Sequence, residues 1–390
     1  MVTTDVRLRA IHCPPHLQMG WLDAMWPPSA LHHNQGGAIA FDLSRCERID
    51  PEALMLLLGH LAGLRESGTV TVEVVLPASK GLRRALKRWL FLPALADIVG
   101  RPIPEITAGK VITELPRTIT DEIALYWPIS SPASDSPPNP VFPFRIYSAS
   151  EYSFGRRQAV QESRKWQEPY LLSGLTSLLG QPASPIPSDI IHEGVLTAAS
   201  NPTASTLATV SLYDYDAVTI LIWDNGVPIP ETIRKVIAGG HPVRMPSSTL
   251  PEFPLNVHLH EYGGDRTTIA ISADYQPDTS THEAMLVACA ILPGIASVPH
   301  RMRSPADIQS AAGNKIVPGW GLYMLTRAAV DTFGGTVTIR SGRTMLRISS
   351  PAPDDQGVTI KPGHPTTIEH FPLDRHFHGN LICVRLPLGN

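Results

Sequence analysis

Between residues 38 and 90 the apolar positions change spacing three times. "AIAFDL" (38–43) and "TVTVEVVL" (69–76) are short β-rich runs, while Leu54, Leu57, Leu58, Leu61 and Leu64 recur at helical spacing. The order strand, helix, strand, helix predicts a right-handed βαβ unit with a parallel strand pair. Further on, "AVTILIW" (217–223) reads as a buried strand that stops at Asp224 and is followed at once by Asn225, Gly226 and Pro228. Taken alone, that ending reads as a hairpin turn. On its N-terminal side, Ser188 and Asp189 are suited to cap a helix built from Ile190, Ile191, Val195, Leu196, Ala198 and Ala199. Asp189, Glu193, Thr197 and Asn201 are four apart and form one polar stripe on that helix, which an outward solvated face would also produce. On its C-terminal side, "PGWGLYM" (318–324) opens a helix with Leu322, Leu325, Ala329 and Phe333 on its apolar face, Gly334 and Gly335 end it, and "TVTIR" resumes a strand.

A chain of 390 residues can bury two cores. Of its 38 prolines, the densest group lies in "PISSPASDSPPNPVFP" (128–143), which predicts a linker over 116–149 between domains at 1–115 and 150–390. A formal net charge of -3 with no lysine or arginine run argues against nucleic acid or anionic lipid as a partner. The four cysteines (Cys13, Cys46, Cys289 and Cys383) have no CxxC or Cys/His ligand spacing and fit reduced thiols. No segment reaches the roughly 20 apolar residues of a membrane span, and the N-terminus lacks the apolar core of a signal peptide, so a soluble cytoplasmic protein is expected.

The first half resembles a STAS domain, the fold of anti-sigma-factor antagonists. In that family a Ser or Thr at a helix start is phosphorylated by a partner kinase. The matching turn here is "IDPEAL" (49–54), where Asp50 is kept but Pro51 and Glu52 take the serine positions and Ala53 the glycine position. No acceptor hydroxyl is left. Glu52 has two readings, a fixed phosphate-like charge or ordinary helix-start chemistry.

The three signals of the second half, in their order, resemble the GHKL ATPases: gyrase, Hsp90, histidine kinases, MutL and the anti-sigma serine kinases. "HEGVLTAASN" matches the N-box, "WDNGVPIP" the Asp-x-Gly-x-Gly box, "PGWGLYM" the second glycine box, and "HGNLICVRLPL" (378–388) the last strand. The resemblance implies an α/β (α+β) chain, the STAS-like domain being followed by a Bergerat-type sandwich with a mixed sheet and helices on one face. It implies ATP and Mg²⁺ as cofactors. It makes Asp224 the acceptor for the adenine amine and lets adenine approach the backbone at Gly226. Glu193 becomes the general base that orients water, and Gly319, Trp320, Gly321 and Leu322 border the phosphates, where glycine and a helix start suit an anion. Three positions depart from the family pattern. The Mg²⁺-binding Asn falls on Thr197, with Asn201 one turn on placed to substitute; the second glycine of the first box is Pro228; and the terminal Thr falls on Asn380. Adenine recognition is therefore expected to outlast metal-dependent chemistry.

Residues 231–316 are expected to hold a lid, with Lys315 there and Arg327 beyond it as cations within reach of phosphate. "HLH" (258–260) and "HFH" (376–378) place paired rings on one strand face, but no carboxylate or cysteine is spaced to complete a metal site. No nucleophile elbow supports a hydrolase triad, and the segment before the N-box carries no histidine for a sensor kinase. Two functions remain: an ATP-binding regulatory ATPase or serine kinase-like protein that meets protein partners through its STAS-like domain or lid, or a nucleotide-sensing adaptor with negligible turnover. A homodimer stays open in either.

Overall fold

The computed structural model of the chain describes residues 8–25, 38–67, 71–100, 139–148, 194–195, 197–198, 201, 203–214, 216–240, 255–260, 266–271, 275–292, 321–350 and 366–388. Its first elements are β1 (Leu8–His12), β2 (His16–Leu17), α1 (Met19–Met25), β3 (Ala38–Asp42), β4 (Arg48–Ile49), α2 (Pro51–Ser67), β5 (Thr71–Val75), α3 (Lys80–Arg88) and α4 (Phe91–Val99). β1, β3 and β5 form a parallel sheet in that order. The expected strand, helix, strand, helix run and its parallel pair are present as β3, α2, β5 and α3. Ser79 starts α3 by accepting the Leu82 amide on its Oγ at 3.3 Å.

The rest of the described chain adds β6 (Asn139–Ser148), β7 (Thr206–Tyr213), β8 (Ala217–Asp224), α5 (Ile229–Ala238), β9 (Leu255–His260), β10 (Arg266–Ile271) and α6 (Glu283–Ala290). It closes with α7 (Gly321–Arg327), a π-helical turn (Ala328–Thr332), β11 (Thr336–Ser349) and β12 (Thr366–Pro387). These strands make one mixed seven-stranded sheet, ordered β10-β9-β12-β8-β7-β6, with β11 also paired to β12. β12 holds it together. Its first residues run parallel to β9, its last eight antiparallel to β8, and β11 follows it throughout. The mixed α/β class expected from sequence is thus present.

Two boundary expectations change. The last ten residues of the expected linker, Asn139–Ser148, are strand β6. Pro140 and Pro143 are tolerated because β6 is an edge strand whose pairing with β7 breaks register on either side of Phe142. Of the expected lid, the described part holds α5, β9, β10 and α6. Residues 284–289 of α6 are all buried, which is core and not a flap; residues 293–316 lie outside the described residues. Finally, the helices expected on one face are the sheet's own, α6 and α7, and the N-terminal unit covers the other face. Ile220 and Ile222 of β8 and Ile382 and Val384 of β12 pack with α6 and α7. The opposite face, with Leu221, Trp223, Leu381 and Cys383, shares a core with α2 and α4 of the N-terminal unit.

That second contact explains why α2 has so little polar surface. Residues 53–62 are buried without interruption, extending the expected leucine stripe to Met55, Leu56 and His60. A helix apolar all round must be enclosed all round. It shares one core with Ile39, Phe41, Val72 and Val74 of the small sheet and with Leu221 and Trp223 of the large one. Glycine sets the closeness of approach. A Cβ on Gly59 would lie 2.6 Å from Phe377 Cζ and 2.8 Å from Trp223 Nε1, and one on Gly63 would lie 3.2 Å from His378 Cβ.

A buried charge pair crosses the same junction. Arg340 of β11, fully buried, donates from Nη2 to Asp23 Oδ1 of α1 at 3.2 Å and to the Arg375 carbonyl at 2.8 Å, and from Nη1 to the Gly342 carbonyl. His60 Nε2 stands 3.8 Å from the same Asp23 oxygen, with its ring edge-on to Phe377. Burial pushes the Asp23 carboxyl up, but His60 and the Arg340 charge outweigh it and leave its pKa lowered. Burial is the main cause that lowers His60. Removing one partner of such a pair strands the other charge, at a cost of about 3–5 kcal/mol. Among the described residues no helix is long and apolar enough to cross a membrane.

Overpacking therefore has a defined address. Gly59→Ala is expected to destabilise the chain by about 1–3 kcal/mol in urea unfolding. Gly20→Ala, in α1 with nothing within 4 Å of its added Cβ, is expected to be neutral or stabilising by up to about 1 kcal/mol. Equal midpoints for the two variants would show that α2 does not approach the large sheet this closely.

Candidate functional site

All eight residues of β8 are buried. Strand alternation puts Asp224 on the same face as Ile220 and Ile222, towards the helices that follow in sequence, and sends Trp223 to the opposite face against α2. The carboxyl that ends this run is 3% exposed. Its Oδ1 accepts from Asn201 Nδ2 at 2.9 Å, from the Gly226 amide at 2.9 Å and from Asn380 Nδ2 at 3.1 Å, and Oδ2 lies 3.3 Å from the same Asn380 nitrogen. Burial raises the Asp224 pKa to about 7, against the lowering effect of these donors. Near neutral pH the group therefore occupies both charge states.

The turn after Asp224 is not a hairpin. Asn225 accepts the Ser205 and Thr206 amides on Oδ1, each at 2.8 Å, and donates from Nδ2 to Ser205 Oγ at 2.8 Å. That ties the strand end back to the start of β7. Pro228 and Pro230 then lead into α5, where the absence of an amide hydrogen at a helix start costs nothing. The Ile229 amide is accepted by Ser341 Oγ at 2.9 Å and Asn380 Oδ1 at 3.0 Å, and Ser341 Oγ donates to Asn380 Oδ1 at 2.7 Å. Asn380 sits directly across from Asp224 in the β8–β12 ladder. A single network thus runs from Asn201 through Asp224 and Asn380 to Ser341 and the first turn of α5.

Gly226 serves this network. A Cβ there would lie 2.0 Å from Asn201 Nδ2, so the space expected for a base edge is taken by the Asn201 amide in this structure. Asn201 is also fully engaged. Its Nδ2 donates to Asp224 and to the Val227 carbonyl at 3.2 Å, while its Oδ1 accepts the Thr203 amide at 3.3 Å and Thr203 Oγ1 at 2.8 Å. Both lone pairs of the oxygen are used by Thr203 in this structure. Thr197 is helical and half-buried, and among the described residues no three His, Cys, Asp or Glu side chains gather as a metal site.

The three sequence signals meet in space. A Cβ on Gly194 would lie 2.1 Å from Ile222 Cδ1 and 3.2 Å from Leu325 Cδ1. The helical residues 194–195 and 197–198 therefore lie against both β8 and α7, with Val195 and Ala198 in the same core as Ile222, Leu322 and Leu325. Gly321 opens α7, and Leu322 is 7% exposed with its side chain packed in that core. Arg327 Nε is paired with Asp331 at 2.5 Å. Glu193, Lys315, Gly319 and Trp320 lie outside the described residues. Ser341 had no sequence signal; it reaches the site because β11 runs along β12 beside Asn380.

Glu52 resolves differently from its phosphate-like reading. It lies half-buried where α2 meets the large sheet, accepting from Cys383 Sγ of β12 at 3.7 Å. Burial raises its pKa, with the Asp50 charge adding to the effect. Half-buried against β12, it is not the free surface charge that a phosphate would add. His376 pairs with Glu231 at 3.0 Å, which gives one ring of the "HFH" pair a carboxylate partner.

Burial of Asp224 has a measurable sign. Its folded pKa is above the unfolded one, so its contribution to stability is full below about pH 4 and falls as pH rises towards 7, by up to about 1.4 kcal/mol per pH unit. Asp224→Asn lacks this loss. The stability of the variant relative to wild type is expected to rise by about 2–3 kcal/mol between pH 5 and 7 in urea titrations; a difference that does not change with pH would mean that the carboxyl is solvated. No protein-family model, curated protein or solved structure matches this chain.

Proposed function

We propose that the C-terminal half is an ATP-binding module of GHKL type with a Bergerat-type fold, and that the N-terminal half is a STAS-like protein-interaction domain docked on it as a fixed unit. The protein would act in the cytoplasm as an ATP-dependent regulator, as an ATPase or serine kinase-like phosphotransferase where turnover occurs. The observation that carries the reading is the convergence of three sequence-distant motifs. A carboxylate buried at a strand end, a helix packed across that strand and a helix opened by glycine all meet at one core. A buried carboxylate is suited to accept hydrogen bonds from an exocyclic amine, and a glycine-opened helix start is suited to an anion.

Within this reading the residues divide the work. Asp224 would take the amine, held by Asn380 and the Gly226 amide. Asn201, whose amide nitrogen already donates to Asp224, would yield or share that oxygen when a base enters. Glu193 would orient water, and Gly319, Trp320 and Gly321 would border the phosphates, with Mg²⁺ neutralising them. One observation favours the second reading, a nucleotide-sensing adaptor. The Asn201 oxygen is saturated and Thr197 stands in the metal-binding Asn position, so the chain offers a poor ligand set for Mg²⁺ chemistry.

Calorimetric titration of ATP, with and without Mg²⁺ and alongside phosphate release, tests both readings. Binding is expected, with Asp224→Asn weakening it about 100-fold. Because the amine needs the ionised carboxyl, wild-type affinity is expected to rise from pH 6 to 8 and to level off above the free-site pKa. Mg²⁺-dependent phosphate release abolished by Glu193→Gln would assign an ATPase or kinase. Binding with no turnover, unchanged by Glu193→Gln, would assign the adaptor. If no adenine nucleotide binds, or if Asp224→Asn binds like wild type, the nucleotide reading fails.

A further inference from the structure

Three strands of the large sheet carry the polar network on one face and the N-terminal unit on the other, and in each case the two roles fall on neighbouring residues. On β8, Asp224 holds the network while Trp223 lies against Gly59 of α2. On β11, Ser341 binds Asn380 and the Ile229 amide, and Arg340 holds Asp23 of α1. On β12, Asn380 faces Asp224 and its neighbour Leu381 lies in the core shared with α2, while Phe377 and His378 fill the space left by Gly59 and Gly63. A β-strand gives this alternation for nothing, but alternation alone does not place three gripping residues beside three site residues.

The backbone between the two faces has little slack. Gly379 adopts φ +99, and a Cβ there would lie 1.9 Å from the Asp224 carbonyl oxygen and 3.0 Å from Trp223 Nε1. The indole nitrogen of Trp223 is buried with no hydrogen-bond partner, as are Asp23 Oδ2 and Arg340 Nε. Buried polar atoms left unsatisfied destabilise the docked arrangement, so the junction has groups that a shift of β8, β11 or β12 could pair differently. A displacement of α2 must move Trp223 or Leu381, and through one peptide unit Asp224 or Asn380.

We propose that the N-terminal unit is a built-in regulator of the Asp224 site: its docking through α1 and α2 holds the network in its binding geometry, and occupancy of the site tightens the docking in return. The inference takes its ligand from the nucleotide reading above. By thermodynamic linkage the effect must be the same in both directions. A protein that pulled α2 away from the sheet would lower affinity for the ligand, and ligand would resist that protein.

The test uses the full chain with ATP as the probe. Asp23→Asn, which touches nothing in the site, is expected to weaken ATP binding about fivefold or more, whereas Ser79→Ala, which removes the cap of α3 and lies outside both cores, leaves affinity within about twofold. Gly63→Ala gives the same readout should Asp23→Asn not fold. Wild-type affinity in both junction variants would overturn the proposal, as would an equal loss in Ser79→Ala. If wild type binds no ATP, the nucleotide reading alone has failed, and coupling is then read from urea unfolding of Asp23→Asn, Asp224→Asn and the double variant. Effects on the unfolding constant that depart from a simple product by about threefold or more support the regulator; a simple product overturns it.

Discussion

The enclosure of α2 is the constraint on which the rest of the molecule depends. A helix buried from residue 53 to 62 cannot exist in a free N-terminal unit without exposing one whole apolar side. The large sheet in turn has two apolar faces, and its own helices cover only one. Each half supplies the missing layer of the other, and Gly59 lets the backbone of α2 come close enough for Phe377 and Trp223 to close the gap.

The buried ions sit where this packing would otherwise be least specific. Arg340 and Asp23 join β11 to α1 through a region with no exposure to water, and the pair fixes which way the two halves meet. Asp224 follows the opposite logic. It has no cation, only amide donors, and holding it buried costs the fold on the order of 4 kcal/mol at neutral pH. The surrounding amides of Asn201, Asn380 and Gly226 offset part of that cost.

Several elements were legible because short-range rules determine them. The strand, helix, strand, helix run from β3 to α3, the strand ending at Asp224 and the helix opened at Gly321 follow from residue spacing and from where glycine and proline stand. Where those rules compete with tertiary pairing they misled. Proline density marked 139–148 as linker, yet an edge strand accepts proline; length and polarity marked 231–316 as lid, yet residues 284–289 of α6 within it are buried core. Asn-Gly suggested a hairpin after Asp224, but the Asn225 side chain ties back to Ser205 and Thr206 and the chain turns into a helix.

By itself, the sequence determined the local elements and the presence of a carboxyl at the end of a buried strand, because periodicity, capping and chain-breaking residues act within a few positions. Only the tertiary structure decided what those residues do to one another. Asn201 lies 23 positions from Asp224, Asn380 lies 156 away, and Glu52 meets Cys383 across 331. Contacts at such separations depend on the sheet order and on the docking of α2, which no local pattern encodes. They set Glu52 against Cys383 where α2 meets the large sheet, filled the space at Gly226 with the Asn201 amide, and made the helix buried over 53–62 the joint between the two halves.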